Sequence, residues 1–163
     1  MEELVILGID PGFGRMGFGV IRVLGREVHP LDFGVFTTDA KLDFGSRLAY
    51  LVEDMQAVIE HWKPRVVAVE SLFFTNNQKT AMRVAEARGV VLLTAAQRSV
   101  PVVEFAPGQV KLALTGDGKA TKAAVQRMVK QLLLLPRAPK PDDAADALAI
   151  AITASTVRLR YVL

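Results

Sequence analysis

The order of the apolar segments constrains the fold more than any other feature of the chain. Three strand-like runs come before any helical pattern, at residues 4–10, 16–24 and 31–38, and short connections between them predict an antiparallel meander. Helices and strands then alternate: helices are predicted at 46–62, 78–98, 107–115, 121–135 and 142–157, and strands at 65–70 and 101–105. Because a helix between two strands indicates a crossover to a parallel partner, we expect an α/β fold with a mixed five-stranded sheet flanked by helices.

Local signals support several of these segments. In 46–62, apolar residues recur with the i, i+3, i+4, i+7 spacing of an amphipathic helix. Ser46 is predicted to cap this helix, and Pro64 lies just beyond its end. In the second strand, Gly17 and Gly19 predict either a close approach by other backbone or a bulge.

Length and composition indicate one packed globular domain. With 163 residues and 51% apolar residues, we expect a single domain at 1–157 followed by a short tail at 158–163. No apolar run reaches the ~20 residues that span a membrane, and the start Met1-Glu2-Glu3 lacks the basic region of a signal peptide. We therefore expect a soluble, cytoplasmic protein without a membrane partner.

The chain contains no cysteine and only two histidines, His29 and His61. The absence of cysteine excludes disulfides, thiolate metal sites and cysteine nucleophiles. Two histidines without ligand-like spacing also argue against a zinc site and a serine–histidine triad.

Four acidic residues stand where a fold of this kind could bring them together. Asp10 ends the run LVILGID, Glu70 ends RVVAVE, and Asp143 and Asp146 lie three apart in PDDAADALAIAI. Asp10 alone could be a turn residue, and Asp142 or Asp143 could be a helix cap. Glutamate is uncommon in strands, however, so Glu70 at a strand end is unusual, and Asp146 has only apolar neighbours. Oxygen ligands without His or Cys favour Mg²⁺ or Mn²⁺, and two such ions ~3.5–4 Å apart support phosphoryl displacement.

The charge balance is compatible with a polyanionic substrate. There are 20 basic and 17 acidic residues, giving +3; without the four acids 13 remain, which leaves the scaffold at 20 − 13 = +7. A basic scaffold around an acidic pocket suits a nucleic acid cut at a metal centre. The alternative is that +3 is an ordinary solubility charge.

Five sequence motifs resemble the RuvC family of Holliday junction resolvases. They are LGIDPG at 7–12, AVESLFF at 68–74, ARGV at 87–90, QVK at 109–111 and DAADALAIAI at 143–152. The resemblance implies an RNase H-like fold, and a homodimer that binds a four-way DNA junction and nicks two opposed strands with Mg²⁺. It also implies work with a branch-migration motor, the RuvA–RuvB complex. By motif matching, Asp10, Glu70, Asp143 and Asp146 would be the metal ligands. Our hypothesis is a two-metal site, with one ion on Asp10 and Asp143 or Asp146 and the other shared by Asp10 and Glu70.

Aromatic and basic residues near these motifs are the predicted DNA contacts. Phe73 and Phe74 could pack in the core or stack on an unpaired base, and the resemblance places Phe73 at the stacking position. The polar stretch TNNQKT at 75–80 predicts a surface loop. By resemblance, Lys111 and Lys122 match basic positions of the family, with Lys122 near the scissile phosphate and so in the catalytic set. The remaining predicted contacts are Asn77, Lys79, Arg83 and Lys119, and the predicted dimer seam includes Val84, Val91 and Leu92 of helix 78–98.

Three other functions are compatible with parts of the sequence. IDPG followed by a glycine-rich hairpin also resembles the phosphate hairpin of actin-like ATPases and sugar kinases, although no second hairpin follows. A nuclease of the same fold that cuts RNA–DNA hybrids would need the same acids. A non-catalytic module that binds junctions is the third alternative.

Overall fold

The computed structural model describes residues 3–71 and 77–157. All ten predicted elements are present in the predicted order. The strands are β1 (Glu3–Asp10), β2 (Arg15–Leu24), β3 (Glu27–Thr37), β4 (Val66–Glu70) and β5 (Val102–Phe105), and the helices are α1 (Phe44–Trp62), α2 (Gln78–Gln97), α3 (Pro107–Thr115), α4 (Lys122–Leu132) and α5 (Asp142–Thr156). The predicted tail and both predicted stacking residues, Phe73 and Phe74, lie outside the described residues.

The five strands form one mixed sheet in the order β3-β2-β1-β4-β5. β1, β2 and β3 pair antiparallel, whereas β4 runs parallel to both β1 and β5. The predicted meander followed by parallel crossovers is therefore confirmed. β1 lies at the centre of the sheet, which explains its nearly continuous apolar sequence.

Helices cover both faces of the sheet. α1 and α2 bury their apolar sides against one face, together with Leu7, Ile9, Val67 and Val69. α3, α4 and α5 pack on the other face, together with Ile6, Ile21, Val66 and Ala68. Side chains alternate between the faces along each strand, so the even-numbered residues of β1 and β4 point towards α5.

The structure moves several predicted boundaries. β3 begins at Glu27 and not at 31, because a tight turn with Gly25 at φ 62° joins it to β2. Pro30 is accommodated because β3 is an edge strand, and the register shifts between Val20 and Ile21 opposite it. The prediction of Ser46 as the cap of α1 is wrong: the cap is Asp43, whose side chain accepts a hydrogen bond from the Ser46 backbone N–H.

Candidate active site

Asp10 and Glu70 end two neighbouring strands at the same edge of the sheet. β1 and β4 are parallel, and Ile9 pairs with Val69 immediately before the two acids. Adjacent strands lie ~4.8 Å apart. Both acids therefore stand side by side, and both project from the face that α5 covers.

Three glycines let α5 approach this face closely. A Cβ atom on Gly17 would lie 2.0 Å from the Asp143 carbonyl oxygen, and one on Gly8 would lie 2.1 Å from the Ala147 carbonyl oxygen. A Cβ on Gly19 would lie 2.8 Å from the Leu148 side chain. The close approach predicted at Gly17 and Gly19 is confirmed, whereas the bulge falls at Val20 and Ile21.

The same contacts bring Asp143 and Asp146 of α5 to Asp10. Gly17 is the cross-strand partner of Asp10, so the first turn of α5 lies directly beside Asp10. Asp142 and Asp143 lie in that first turn, but no side chain caps the helix, so the alternative of Asp143 as a cap is not supported. Asp146, one turn further on, sits between the fully buried Ala145 and Ala147 yet keeps 29% of its side chain exposed.

The electrostatics show that the acids are crowded around Asp10. The pKa of Asp10 is raised from 3.8 to about 8: burial is the largest cause, the negative charges of Asp146, Glu70 and Asp143 contribute in that order, and Lys122 opposes them. At neutral pH and without a bound cation, the Asp10 carboxyl is therefore largely protonated. A site that resists a fourth negative charge favours a divalent cation among these groups.

Glu70 and Asp146 feel the same surroundings. Burial raises the pKa of Glu70, and the Asp146 charge adds to this, while Lys122 and Lys111 act in the opposite direction. Burial also raises the pKa of Asp146, against the hydrogen bond from Lys122. That hydrogen bond in turn raises the pKa of Lys122, whose Nζ lies 3.0 Å from Asp146 Oδ2.

Arg15, at the start of β2, forms an ion pair with the fourth acid, Asp143. Its guanidinium lies 3.2 Å from Asp143 Oδ2. That buried oxygen nevertheless accepts no hydrogen bond, so the contact is an ion pair without hydrogen-bond alignment. Arg15 was not predicted from the sequence, where only its position five residues after Asp10 indicates it.

The chemistry of these residues fits a hard divalent cation. The donors are carboxylate oxygens alone, Asp143 Oδ2 lacks a hydrogen-bond donor, and Asp10 is crowded by three other acids. As the side chains stand in residues 3–71 and 77–157, no three acidic or histidine side chains surround one point closely enough to hold an ion. Two of the four carboxylates are instead engaged by basic side chains, Asp146 by Lys122 and Asp143 by Arg15.

A cavity of about 240 Å³ opens beside the acids. Glu70 and Asp146 line it together with the predicted basic residues Lys111 and Lys122. Lys122 is the first residue of α4, after the cap Thr121, and Lys111 lies in α3. The two lysines that the resemblance singled out are therefore next to the acids.

The loop that follows Asp10 contacts α1 through Arg47 and α2 through Arg83. Arg47, only 7% exposed, donates hydrogen bonds to the Thr38 hydroxyl (2.9 Å) and the Phe13 carbonyl oxygen (3.2 Å). The predicted DNA contact Arg83 lies over the rings of Phe13 and Phe44, 5.8 and 4.8 Å from their centroids. Arg47 was missed from the sequence, although it falls in register with the buried stripe Leu51, Met55 and Ile59.

The other predicted contacts and the predicted seam lie further from the acids or in other surroundings. Asn77 caps α2 by accepting a hydrogen bond from the Thr80 backbone N–H, and Lys79 and Lys119 are exposed. Val91 is fully buried in the core and is wrong as a seam residue. Val84 and Leu92 are half-buried.

Comparison with known proteins settles the family. A family profile described as "Crossover junction endodeoxyribonuclease RuvC" matches residues 6–154. The chain belongs to the RuvC family. A RuvC from Pseudothermotoga lettingae is 48% identical over 95% of this chain and 96% of its own length, and one from Thermomicrobium roseum is 50% identical over 90% of each.

A solved RuvC structure has the same architecture. Thermus thermophilus RuvC in complex with Holliday junction substrate matches with a TM-score of 0.89 at 38% identity, covering 93% of each chain. The RuvC membership and the RNase H-like fold expected from the sequence are both confirmed. None of the helices described here is long and apolar enough to cross a membrane.

Proposed function

We propose that the protein resolves four-way Holliday junctions by paired, symmetric nicks that depend on Mg²⁺. The observation that carries the proposal is the placement of Glu70, Asp143 and Asp146 around Asp10, by strand pairing and the close approach of α5, beside a cavity lined by Lys111 and Lys122. The name of the family and the Thermus thermophilus complex with a Holliday junction support this choice of substrate.

Asp10, Glu70, Asp143 and Asp146 would hold two Mg²⁺ ions, with Mn²⁺ able to replace them. Bound there, the ions supply an activated water and stabilise the leaving 3′ oxygen of an in-line displacement. The chain's own part is to hold Asp10 and Glu70 in register and to fix Asp143 and Asp146 on the buried helix α5. Lys122 would bind the scissile phosphate once it leaves Asp146.

DNA contacts outside the acids complete the proposal. Lys111 would bind the backbone near Glu70, and Phe73, with Phe74 as the alternative, would stack on a base at the junction centre. The exposed Lys79 and Lys119 would hold the arms through the charge of the DNA phosphates, and Asn77 would add a neutral hydrogen bond. Arg83, stacked on two rings, would act from the edge of that surface.

We also propose a homodimer, because a four-way junction offers two equivalent strands to cut. In place of Val91, we assign the seam to the exposed face of α2, where Met82 is 65% and Leu93 56% exposed with Gly89 between them. Sedimentation at micromolar concentration tests this seam, and a monomer that still makes paired nicks would remove it. Work with the RuvA–RuvB complex and a cytoplasmic location belong to the same proposal.

Nicking assays on synthetic DNA test the function directly. We expect an immobile and a mobile four-way junction to be nicked on opposed strands with Mg²⁺ and not without it, leaving 5′-phosphate and 3′-hydroxyl ends. Asp10→Asn, Glu70→Gln and Asp146→Asn should abolish nicking while junction binding remains, because binding comes mainly from backbone charge.

Three results would overturn the proposal in different ways. Preferential cutting of an RNA–DNA hybrid would make the protein a hybrid nuclease. Junction binding without nicking in either Mg²⁺ or Mn²⁺ would make it a binding module, and ATP hydrolysis without DNA would point to the kinase-like alternative.

A further inference from the structure

Arg15 links the surface of the protein to Asp143, a half-buried acid whose Oδ2 atom is itself buried. Arg15 is held at the start of β2 by its pairing with Thr37. Its side chain is 58% exposed, whereas that of its partner Asp143 is 25% exposed. The guanidinium therefore stands at the mouth of the site, with solvent on one side and the acids on the other.

The ion pair with Asp143 is loose. The nearest guanidinium nitrogen is 3.2 Å from Oδ2, and that oxygen still has no aligned hydrogen-bond donor. An ion pair with one side chain mostly in solvent contributes little to stability. The contact therefore explains neither the packing of α5, which rests on glycines and alanines, nor the position of β2.

Lys122 makes the equivalent contact on Asp146, the other motif acid of α5. It reaches Asp146 Oδ2 from α4 at 3.0 Å, while Arg15 reaches Asp143 Oδ2 from β2. Each of these two acids is thus paired with one basic side chain, from two different elements. A divalent ion bound to Asp143 would release Arg15 from its ion pair, because the double charge would repel the nearby guanidinium and neutralise the carboxylate that held it.

We propose that Arg15 exchanges between Asp143 and a phosphate of the DNA backbone, competing with the metal ion when DNA is absent and binding substrate when the ion is present. A guanidinium suits this exchange because its planar fork binds carboxylate and phosphate oxygens equally well. The proposal rests on the metal site of the proposed function, and it adds a DNA contact that no motif of the sequence indicated.

Metal binding in the absence of DNA gives the first test. Titration calorimetry with Mn²⁺ should show that Arg15→Gln binds the ion about two- to fivefold more tightly than the unaltered protein, the range expected from removing one partly exposed ionic competitor. Arg22→Gln is the matched control, because Arg22 lies on the same strand and pairs with Glu3 at 3.5 Å. It should leave Mn²⁺ affinity unchanged, and circular dichroism and thermal melting should show both variants folded.

Junction binding gives the second test, and the expected effect has the opposite sign. With Ca²⁺ present and the junction checked to be intact, Arg15→Gln should bind an immobile four-way junction about two- to fivefold more weakly, with a salt slope smaller by about one unit. In EDTA, Arg15→Gln and the unaltered protein should have the same salt slope of junction binding, because Arg15 then stays paired with Asp143. Arg15→Lys should recover part of the slope, since a lysine keeps the charge without the fork.

The outcomes separate this proposal from the one on which it rests. If the unaltered protein binds Mn²⁺ and nicks junctions but Arg15→Gln has the same Mn²⁺ affinity, the exchange is wrong and the metal site stands. A loss of junction binding by Arg15→Gln that is equal with and without Ca²⁺ would also overturn it, since it would show an ordinary surface contact. If the unaltered protein binds no Mn²⁺, both proposals fall.

Discussion

Replacing the ionisable carboxyl of Asp10 by a neutral amide should make the metal-free protein more stable. Folding raises the pKa of this carboxyl from 3.8 to about 8, so between these values the folded protein binds a proton that the unfolded chain releases. Stability therefore falls as pH rises through this window. At pH 7 the difference spans about three units, which at 1.36 kcal/mol per unit is about 4 kcal/mol.

Asp10→Asn is the variant that reports this cost, because asparagine resembles the protonated carboxyl at every pH. In EDTA, the variant and the unaltered protein should have equal stability near pH 4, and the variant should gain up to about 4 kcal/mol by pH 7. For a chain of this length, that gain corresponds to a melting temperature on the order of 10 °C higher. Thermal and urea unfolding, followed by circular dichroism between pH 4 and pH 8, measure it.

A neighbouring acid provides the control, and metal provides the reversal. The exposed Asp142 has its pKa lowered by the hydrogen bond from Lys140, so Asp142→Asn should bring no stabilisation as pH rises. Added Mn²⁺ should stabilise the unaltered protein and leave Asp10→Asn nearly unaffected. An Asp10→Asn protein that is less stable in EDTA at pH 7, or whose advantage does not change with pH, would refute the reasoning.

Two further predictions concern the elements that place the site. Gly17→Ala should destabilise the protein by roughly 1–3 kcal/mol and suppress nicking, because its Cβ would meet the Asp143 carbonyl oxygen. Gly89→Ala, whose added Cβ would lie in open space on α2, should stabilise the protein by about 0.5–1 kcal/mol. Equal effects of the two substitutions in urea unfolding would contradict this prediction. Arg47→Met should cost about 1–3 kcal/mol by removing two hydrogen bonds of a charged donor, to the Thr38 hydroxyl and to the Phe13 carbonyl oxygen, which keeps only the Thr38 hydroxyl as a donor. An unchanged urea midpoint would show that the loop does not depend on Arg47.

The sequence predicted the elements well wherever one strong period dominated. α1 was recognisable because its apolar residues follow a single helical stripe, and the central strands because they are continuously apolar. The start of β3 and the cap of α1 were missed, since a turn through Gly25 and a hydrogen bond from Ser46 to Asp43 depend on local geometry that the residue pattern does not encode.

The part of the site that lies at strand ends was predictable, because the carboxyl ends of neighbouring parallel strands meet at one edge of a sheet. Asp10 and Glu70 followed from that rule. The close approach of α5 depends on three glycines that face one side of the helix, and this match is visible only when the strand register is known. Val91 was misassigned because α2 carries apolar residues on two sides, and only the packed structure shows which side faces the sheet. Arg15 and Arg47 were missed because their partners are distant in sequence.

The burial of α5 decides which partner adapts when substrate arrives. Ten of the fifteen residues of this helix are buried, and its backbone rests directly on the sheet through Gly8 and Gly17. Moving the backbone of Asp143 or Asp146 by an ångström would mean repacking the interior, so only the side chains of these two acids are free to rearrange. Under the proposed function, a branched nucleic acid would then have to unstack and bend until its scissile bond reaches them, and sequences that deform easily there would be cut soonest.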